Sequence, residues 1–505
     1  MNHPLAERIR AAIVLSLLPA LVATAPAQDL AEFEKHVTEF TLDNGLKFIV
    51  LERHEAPVVT YYTHANVGAA DEVKGITGLA HLLEHMAFKG TKTIGTRDHE
   101  TEMKLLARMD ETYQAMRMER RKGDEADEQR LAELRGQFEE AQQQAQKLLV
   151  HDEFEEVLKR AGCVGVNAAT NYDATVYVAR SPSNKLELWM LMESDRFLNP
   201  VLREFYQEKD VVMEERRQRT ESNPVGRLGE EFLAIAFKAH PYGEPSVGHM
   251  SDLRTLTRAE ARAFFDEYYR PGNLTIAVAG DVNPEWVKEL AQAYFGRLPC
   301  RPAPGPVETE EPPQMGERRV VVEDAAQPIV FIGYHKPNMN HPDDAAFNAI
   351  TDIAGSGRTA RLHTALVKER KIAITTTCFH GRPGKKYPGL YVFYAVPAKG
   401  HTNEECEEAI YAEIERLKNE PVSQEELKTA KTRARAGLIR RLDSTSGLAS
   451  QLAFFEAATG DWRNLFKQLD QIERIAPEDI QRVARRWFVA KNRTVGMIKT
   501  VETAK

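Results

Sequence analysis

The chain has 505 residues, with 67 Lys and Arg against 75 Asp and Glu, for a formal net charge of −8. At 42% hydrophobic and 28% charged it can build packed cores, which excludes wholesale disorder. The mildly acidic balance leaves no electrostatic footprint for DNA or RNA and excludes nucleic acid as a partner.

At the N-terminus, Arg8 and Arg10 precede an apolar stretch, Ala11 to Ala23, and Ala25-Pro26-Ala27 is a small-residue cleavage site. This layout reads as a secretory signal peptide cut after Ala27, and predicts a periplasmic or secreted protein. The apolar stretch is shorter than the roughly 20 residues that span a bilayer, so no membrane span is expected after its removal. Cys163, Cys300, Cys378 and Cys406 are too few and too scattered for a disulfide framework. None has the CxxC spacing of a Cys-based zinc site.

From Phe40 onward, strand-like and helix-like runs alternate. Phe48-Ile49-Val50-Leu51 and Val58-Val59-Thr60-Tyr61-Tyr62 are β-branched and aromatic, hence strands. Gly75 to Gly90 reads as a loop leading into a helix. Residues 98–150 form a charged helical run without Pro, broken near Lys122-Gly123-Asp124, which predicts a helical hairpin standing out as a solvated arm. Pro299 to Pro313 contains six Pro and reads as an extended linker. Leu256–Val278 aligns without gaps on Ile475–Met497, 219 residues later. Tyr268 meets Trp487, Tyr269 meets Phe488, Asn273 meets Asn492 and Thr275 meets Thr494. Each copy is a helix ending in an aromatic pair, then a turn, then a strand. Duplication predicts two similar α/β halves with a cleft between them. The chain divides accordingly into 1–27 (signal peptide), 28–295 (first half, with the insertion at about 98–150), 296–317 (linker) and 318–505 (second half).

The first half carries His81-Leu82-Leu83-Glu84-His85. On a helix, His81 and His85 share a face and both reach one zinc ion. Glu84 lies near that face, placed to touch a water rather than the metal. Zinc lowers the pKa of a bound water towards ~7, and a neighbouring carboxylate takes its proton as the oxygen attacks a carbonyl. The bland alternative is a surface helix with two incidental histidines, and a third protein ligand decides between them. Glu204 to Arg216 is helical in pattern, with Glu208 and Glu215 two turns apart on one face. One carboxylate can hold the metal while the other orients a ligand His from behind, and the spacing leaves open which is which. Taken alone, an acidic helix face is solvated by default.

His81-Leu82-Leu83-Glu84-His85, followed by Glu208-Lys209-Asp210-Val211-Val212-Met213-Glu214-Glu215, resembles the pitrilysin, insulin-degrading enzyme and mitochondrial processing peptidase family of inverted-motif zinc metallopeptidases. Thr41-Leu42-Asp43-Asn44-Gly45-Leu46, Asn167-Ala168-Ala169-Thr170 with Thr175-Val176-Tyr177, and His240-Pro241-Tyr242-Gly243 extend the resemblance over nearly the whole chain. It implies a Zn2+ cofactor held by His81, His85 and Glu215, with Glu208 as the acid behind a ligand His and Glu84 as general base. It also implies that the strand from Asn167 to Ala179 holds a peptide substrate by strand addition, with Asn167 the named candidate for contact. The implied fold is α+β. Two homologous sandwich-like halves, each a mostly antiparallel sheet with helices on one side, face each other across a cleft, and the helical hairpin is inserted in the first.

Two departures stand out. There are 129 residues between His85 and Glu215, more than the family's usual interval, and the hairpin accounts for the surplus without moving the ligands. Active relatives also carry an Arg and a Tyr seven residues apart in the second half, which grip substrate and steady the oxyanion. Here the run is Val367-Lys368-Glu369-Arg370-Lys371-Ile372-Ala373-Ile374-Thr375. The Tyr position is Ile374 or Thr375 and the Arg position Val367 or Lys368. Losing an oxyanion donor costs ~3 kcal/mol or more of transition-state stabilisation. The missing pair is therefore expected from a paralogous chain in a heterodimer or from a second copy in a homodimer, with Lys368 or Arg370 as substitutes within the chain. The expected function is an exported zinc metalloendopeptidase acting on unfolded peptides. The rival is a catalytically weak or inactive peptide-binding or assembly subunit of the same fold.

Overall fold

A computed structural model describes residues 30–501 of the chain; the expected signal peptide lies outside the described residues. Six strands, β1 (Val37–Thr41), β2 (Lys47–Glu52), β3 (Val58–Ala65), β4 (Val164–Thr170), β5 (Thr175–Pro182) and β6 (Leu274–Gly280), form one sheet in the order β1-β2-β6-β3-β5-β4. Five more, β7 (Arg318–Asp324), β8 (Ile329–Lys336), β9 (Ala373–Arg382), β10 (Gly389–Pro397) and β11 (Arg493–Thr500), form a second in the order β7-β11-β8-β10-β9. The pairs β2–β6 and β7–β11 are parallel, and all others are antiparallel. Apart from β1, the two sheets have one topology, so the sequence repeat is a repeat of architecture. Its Asn has the same duty in both copies. The Asn273 amide donates to Tyr268 O (2.9 Å) and Asn66 O (3.3 Å), and that of Asn492 to Trp487 O (3.0 Å) and His335 O (2.8 Å). Each ties the end of a helix to the strand crossing beside it.

Nine helices matter for the site and its support: α1 (Leu79–Met86), α2 (His99–Arg120), α3 (Glu128–Gln146), α4 (Phe205–Arg216), α5 (Pro224–Ala236), α6 (Arg258–Tyr268), α7 (Asp344–Gly355), α8 (Thr445–Thr459) and α9 (Pro477–Trp487). Phe48, Val50 and Tyr61 of the first sheet pack under Leu79 and Leu82 of α1, Phe205 and Val212 of α4 and Phe264 of α6. Ile332, Tyr334 and Phe393 of the second sheet pack under Phe347 and Ile350 of α7 and Ile480 and Val483 of α9.

The two-half α+β fold is the one expected, but the halves also exchange helices. Ile49, Leu51, Ala277 and Ala279, on the other face of the first sheet, meet Leu448, Leu452 and Phe455 of α8. Leu390 and Val392 of the second sheet meet Phe232 and Leu233 of α5. Both faces of each sheet are thus covered, which is why Phe48 to Leu51 are all buried and do not alternate. A Cβ on Gly333 of β8 would stand 2.6 Å from the Phe232 ring, so only glycine lets α5 lie that close. Between the halves a cavity of about 320 Å³ is lined by Tyr62, His64, Met339 and Lys385 among others, and the lining includes neither expected zinc histidine.

The charged run forms an antiparallel hairpin of α2 and α3, joined through a tight turn at Gly123–Glu125. It is not a solvated arm, however, because one side docks. The buried Arg203 guanidinium donates to Glu102 Oε1 at 2.7 Å, Arg258 pairs with Asp110 and Tyr113 OH donates to Arg254 O at 2.6 Å. Leu106 and Met109 of α2 and Ala141 and Ala145 of α3 join the first-half core as well. All four cysteines are free. Among the described residues no helix is long and apolar enough to cross a membrane.

Replacing Asn273 or Asn492 by Leu removes two side-chain hydrogen bonds and leaves backbone acceptors bare. Each is expected to lower the stability of the half that holds it by about 2 kcal/mol. Urea unfolding of the full chain checks this, and an unchanged midpoint in either variant would deny the shared role.

Candidate metal centre

The start of α1 is fixed before its histidines appear. Glu72, buried in the preceding loop, accepts from Gly78 N and Ala80 N, both at 2.7 Å, and so satisfies donors that a helix N-terminus leaves open. Asp252 accepts from Gly75 N and from the Thr77 backbone and hydroxyl. From this start, helical spacing brings His81 and His85 onto one face, with ring centroids 4.9 Å apart and planes nearly perpendicular. The facing helix α4 carries both acidic candidates.

One ligand atom each from His81, His85 and Glu215 lie within 4.8 Å of one another. Glu215 Oε2 is 3.5 Å from His81 Nε2 and 3.6 Å from His85 Nε2. These separations exceed ordinary N–H···O bonds. They match a tetrahedral ion, whose ligand atoms, each about 2.0–2.1 Å from the metal, stand about 3.3–3.4 Å apart. His85 Nδ1 meets Glu208 Oε2 at 3.2 Å, which leaves Nε2 to face the cluster. The donor set of two imidazoles and one carboxylate fits zinc with one position open. Of the two carboxylates on this face, Glu215 joins the cluster and Glu208 lies behind His85. His81 Nδ1 is buried without a hydrogen-bond partner among the described residues, so the tautomer of His81 is not pinned as that of His85 is.

Burial, helped by the charges of His85 and Arg219, drives the His81 pKa down to about 3, and this ring stays neutral. His85 is shifted upward, first by its hydrogen bond to Glu208, against burial. Burial raises Glu208, but hydrogen bonds from His85 and Lys89 outweigh it and the net shift is downward. Burial lifts the Glu84 carboxyl, opposed by hydrogen bonds from the Thr170 hydroxyl and backbone.

Three contacts had no signal in the sequence. Lys89, one turn beyond His85, donates to Glu208 Oε1 at 2.6 Å. Arg219, in the π-helical turn after α4, donates to Glu215 Oε1 at 2.5 Å and leaves Oε2 for the cluster. Thr170 touches Glu84 from β4, which has an open edge because among the described residues it pairs only with β5. Asn167 is exposed on the same strand, but strand alternation puts it on the face opposite Thr170. In the second half, Ile374 (57% exposed) and Thr375 lie at the start of β9, an open edge like β4. Lys368 and Arg370 are exposed beside them.

Two protein-family models match the chain: "Insulinase (Peptidase family M16)" over residues 48–119 and 141–249, and "Peptidase M16 inactive domain" over 255–434. The unmatched 120–140 covers the turn of the hairpin and most of α3. The zinc protease PqqE of Helicobacter pylori is 28% identical over 491 residues, covering 96% of each chain. The crystal structure of a protease from Helicobacter pylori superposes with a TM-score of 0.77 at 27% identity, covering 92% of this chain and 99% of that one. The periplasmic protease PqqL of Escherichia coli superposes with a TM-score of 0.68 at 17% identity, covering 92% of this chain but 48% of its own length.

The Glu208 contact has a pH consequence. A protonated imidazole cannot bind metal, so zinc affinity falls as pH drops through the raised pKa of His85. In Glu208→Gln that pKa relaxes downward. The acid limb of zinc binding is expected to shift to lower pH, while affinity at neutral pH drops about 10- to 100-fold. Chelator competition between about pH 5 and 8 checks this, and an unmoved acid limb would contradict it.

Proposed function

We propose that this chain, which belongs to peptidase family M16, the insulinase family, is an exported zinc metalloendopeptidase that cleaves unfolded peptides. The convergence of His81, His85 and Glu215 from two helices, with Glu84 beside them, carries the reading. When bound, zinc supplies a Lewis acid for the scissile carbonyl and lowers the pKa of water. Glu84, kept from easy ionisation by burial yet touched by Thr170, accepts the proton of the attacking water and delivers it to the leaving nitrogen. The open edge of β4 holds the peptide backbone as an added strand, with Asn167 on its exposed face.

A second chain, a paralogue or another copy, completes the opposite wall. The observation favouring this is that Ile374 and Thr375 occupy the open edge of β9, and neither donates as a phenol does. Coverage of only 48% of PqqL supports pairing, since that single chain has length for two such units. The neighbour is named a periplasmic protease, in keeping with the export signal read at Arg8 to Ala27. The same missing donors favour the second reading, a peptide-binding subunit with little turnover.

Glu84→Gln is expected to retain stoichiometric zinc while peptide cleavage falls by about 10²- to 10⁴-fold. Hydrolysis at the wild-type rate would remove Glu84 from the mechanism. Cleavage by the purified chain alone, then with a co-purified paralogue and a chelator control, separates the two readings. Rate gained only with the partner supports pairing, and zinc without turnover in either state supports the binding subunit.

A further inference from the structure

The second half supplies none of the metal ligands, yet a continuous hydrogen-bonded path joins it to the start of the metal helix. The turn between β9 and β10 presents Lys385 N and Lys386 N to Asp173 Oδ2 at 2.6 and 3.1 Å. Tyr242 OH donates to Asp173 Oδ1 and accepts from Tyr387 N at 3.2 Å. A Cβ on Gly384 would stand 2.4 Å from Asp173 Oδ1, so the turn can close on this carboxylate only with glycine there. Asp173 lies in the turn between β4 and β5, which Asn171 shapes by accepting from Asp173 N (2.7 Å) and Ala174 N (3.0 Å). The same turn presents Asn171 O and Tyr172 O to Ala69 N and Ala70 N, at 3.0 and 2.9 Å. Two residues on, Glu72 holds Gly78 N and Ala80 N, the first donors of α1. The turn also directly follows Thr170, the residue against Glu84.

We propose that Asp173 is a positioning residue through which the β9–β10 turn of the second half fixes both the metal helix α1 and the Thr170 end of β4. This rests on the zinc reading of His81, His85 and Glu215. The carboxylate takes donors from the second half on one oxygen and from Tyr242 on the other, while Asn171 holds the backbone of Asp173 in the turn. Its removal lets the loop at Ala69–Glu72 shift, and with it the imidazoles that must meet Glu215. Other ties between the halves, such as Lys47 Nζ to Glu456 Oε1 at 2.7 Å, lie between β2 and α8 and have no link to α1.

The test is zinc affinity of the full-length chain by chelator competition. Asp173→Ala is expected to weaken zinc about tenfold, and the conservative Asp173→Asn about threefold, on the scale of outer-shell contacts. Glu456→Gln, which loosens the halves elsewhere, is expected to leave affinity within about twofold of wild type. Wild-type affinity in both Asp173 variants overturns the proposal while leaving the metal site intact. Equal weakening by Glu456→Gln also overturns it, by showing general loosening. A wild-type chain that binds no zinc overturns the metal reading and this proposal with it.

Discussion

The site depends on one constraint, which is that the Glu215 carboxylate on one helix must stand at 3.5 and 3.6 Å from two imidazoles on another without hydrogen-bonding. Left alone, the His81 imidazole and the Glu215 carboxyl would relax to a shorter contact or admit water, since polar groups withdrawn from solvent need partners. A cation between them satisfies all three at once. The surroundings support that spacing. Arg219 occupies the second oxygen of Glu215, Glu208 occupies the far nitrogen of His85, and Lys89 occupies the second oxygen of Glu208. The first two contacts leave Glu215 Oε2 and His85 Nε2 for the cluster, and the third holds Glu208 against His85.

The fold explains how such a cluster can be held still. Each sheet is buried on both faces because each half lends a helix to the other, α5 across to the second sheet and α8 back to the first. The halves are therefore not free bodies joined only by the Pro-rich linker. That linker is itself pinned, since Glu311 accepts from Lys238, Ala239 and His240 N at 2.8–3.1 Å. Such interlocking lets the second half contribute rigidity to the half that carries the candidate ligands.

The sequence revealed whatever is local and periodic. His81, Glu84 and His85 follow helical spacing, the β-branched runs form strands, the charged run breaks where Gly123 allows, and the repeated Asn273 and Asn492 do the same job. Glu215 was legible only through resemblance, because any acidic helix offers a Glu pair and spacing names no partner. The ion pairs of Arg203 with Glu102 and Arg258 with Asp110 that help dock the hairpin were hidden, because such pairs look like solvated charges in a sequence. The helix exchange was hidden too, since an amphipathic helix shows that it covers something but not which sheet. Thr170, Lys89 and Arg219 belong to the same class, being ordinary residues given meaning by long-range approach.

X-ray absorption at the zinc edge of the purified full-length chain tests the centre most directly. The structure predicts one zinc per chain, with two nitrogen ligands and an oxygen ligand at about 2.0–2.1 Å and no sulfur in the shell. A chain without stoichiometric zinc, or a shell with sulfur at about 2.3 Å, would contradict a centre built from His81, His85 and Glu215.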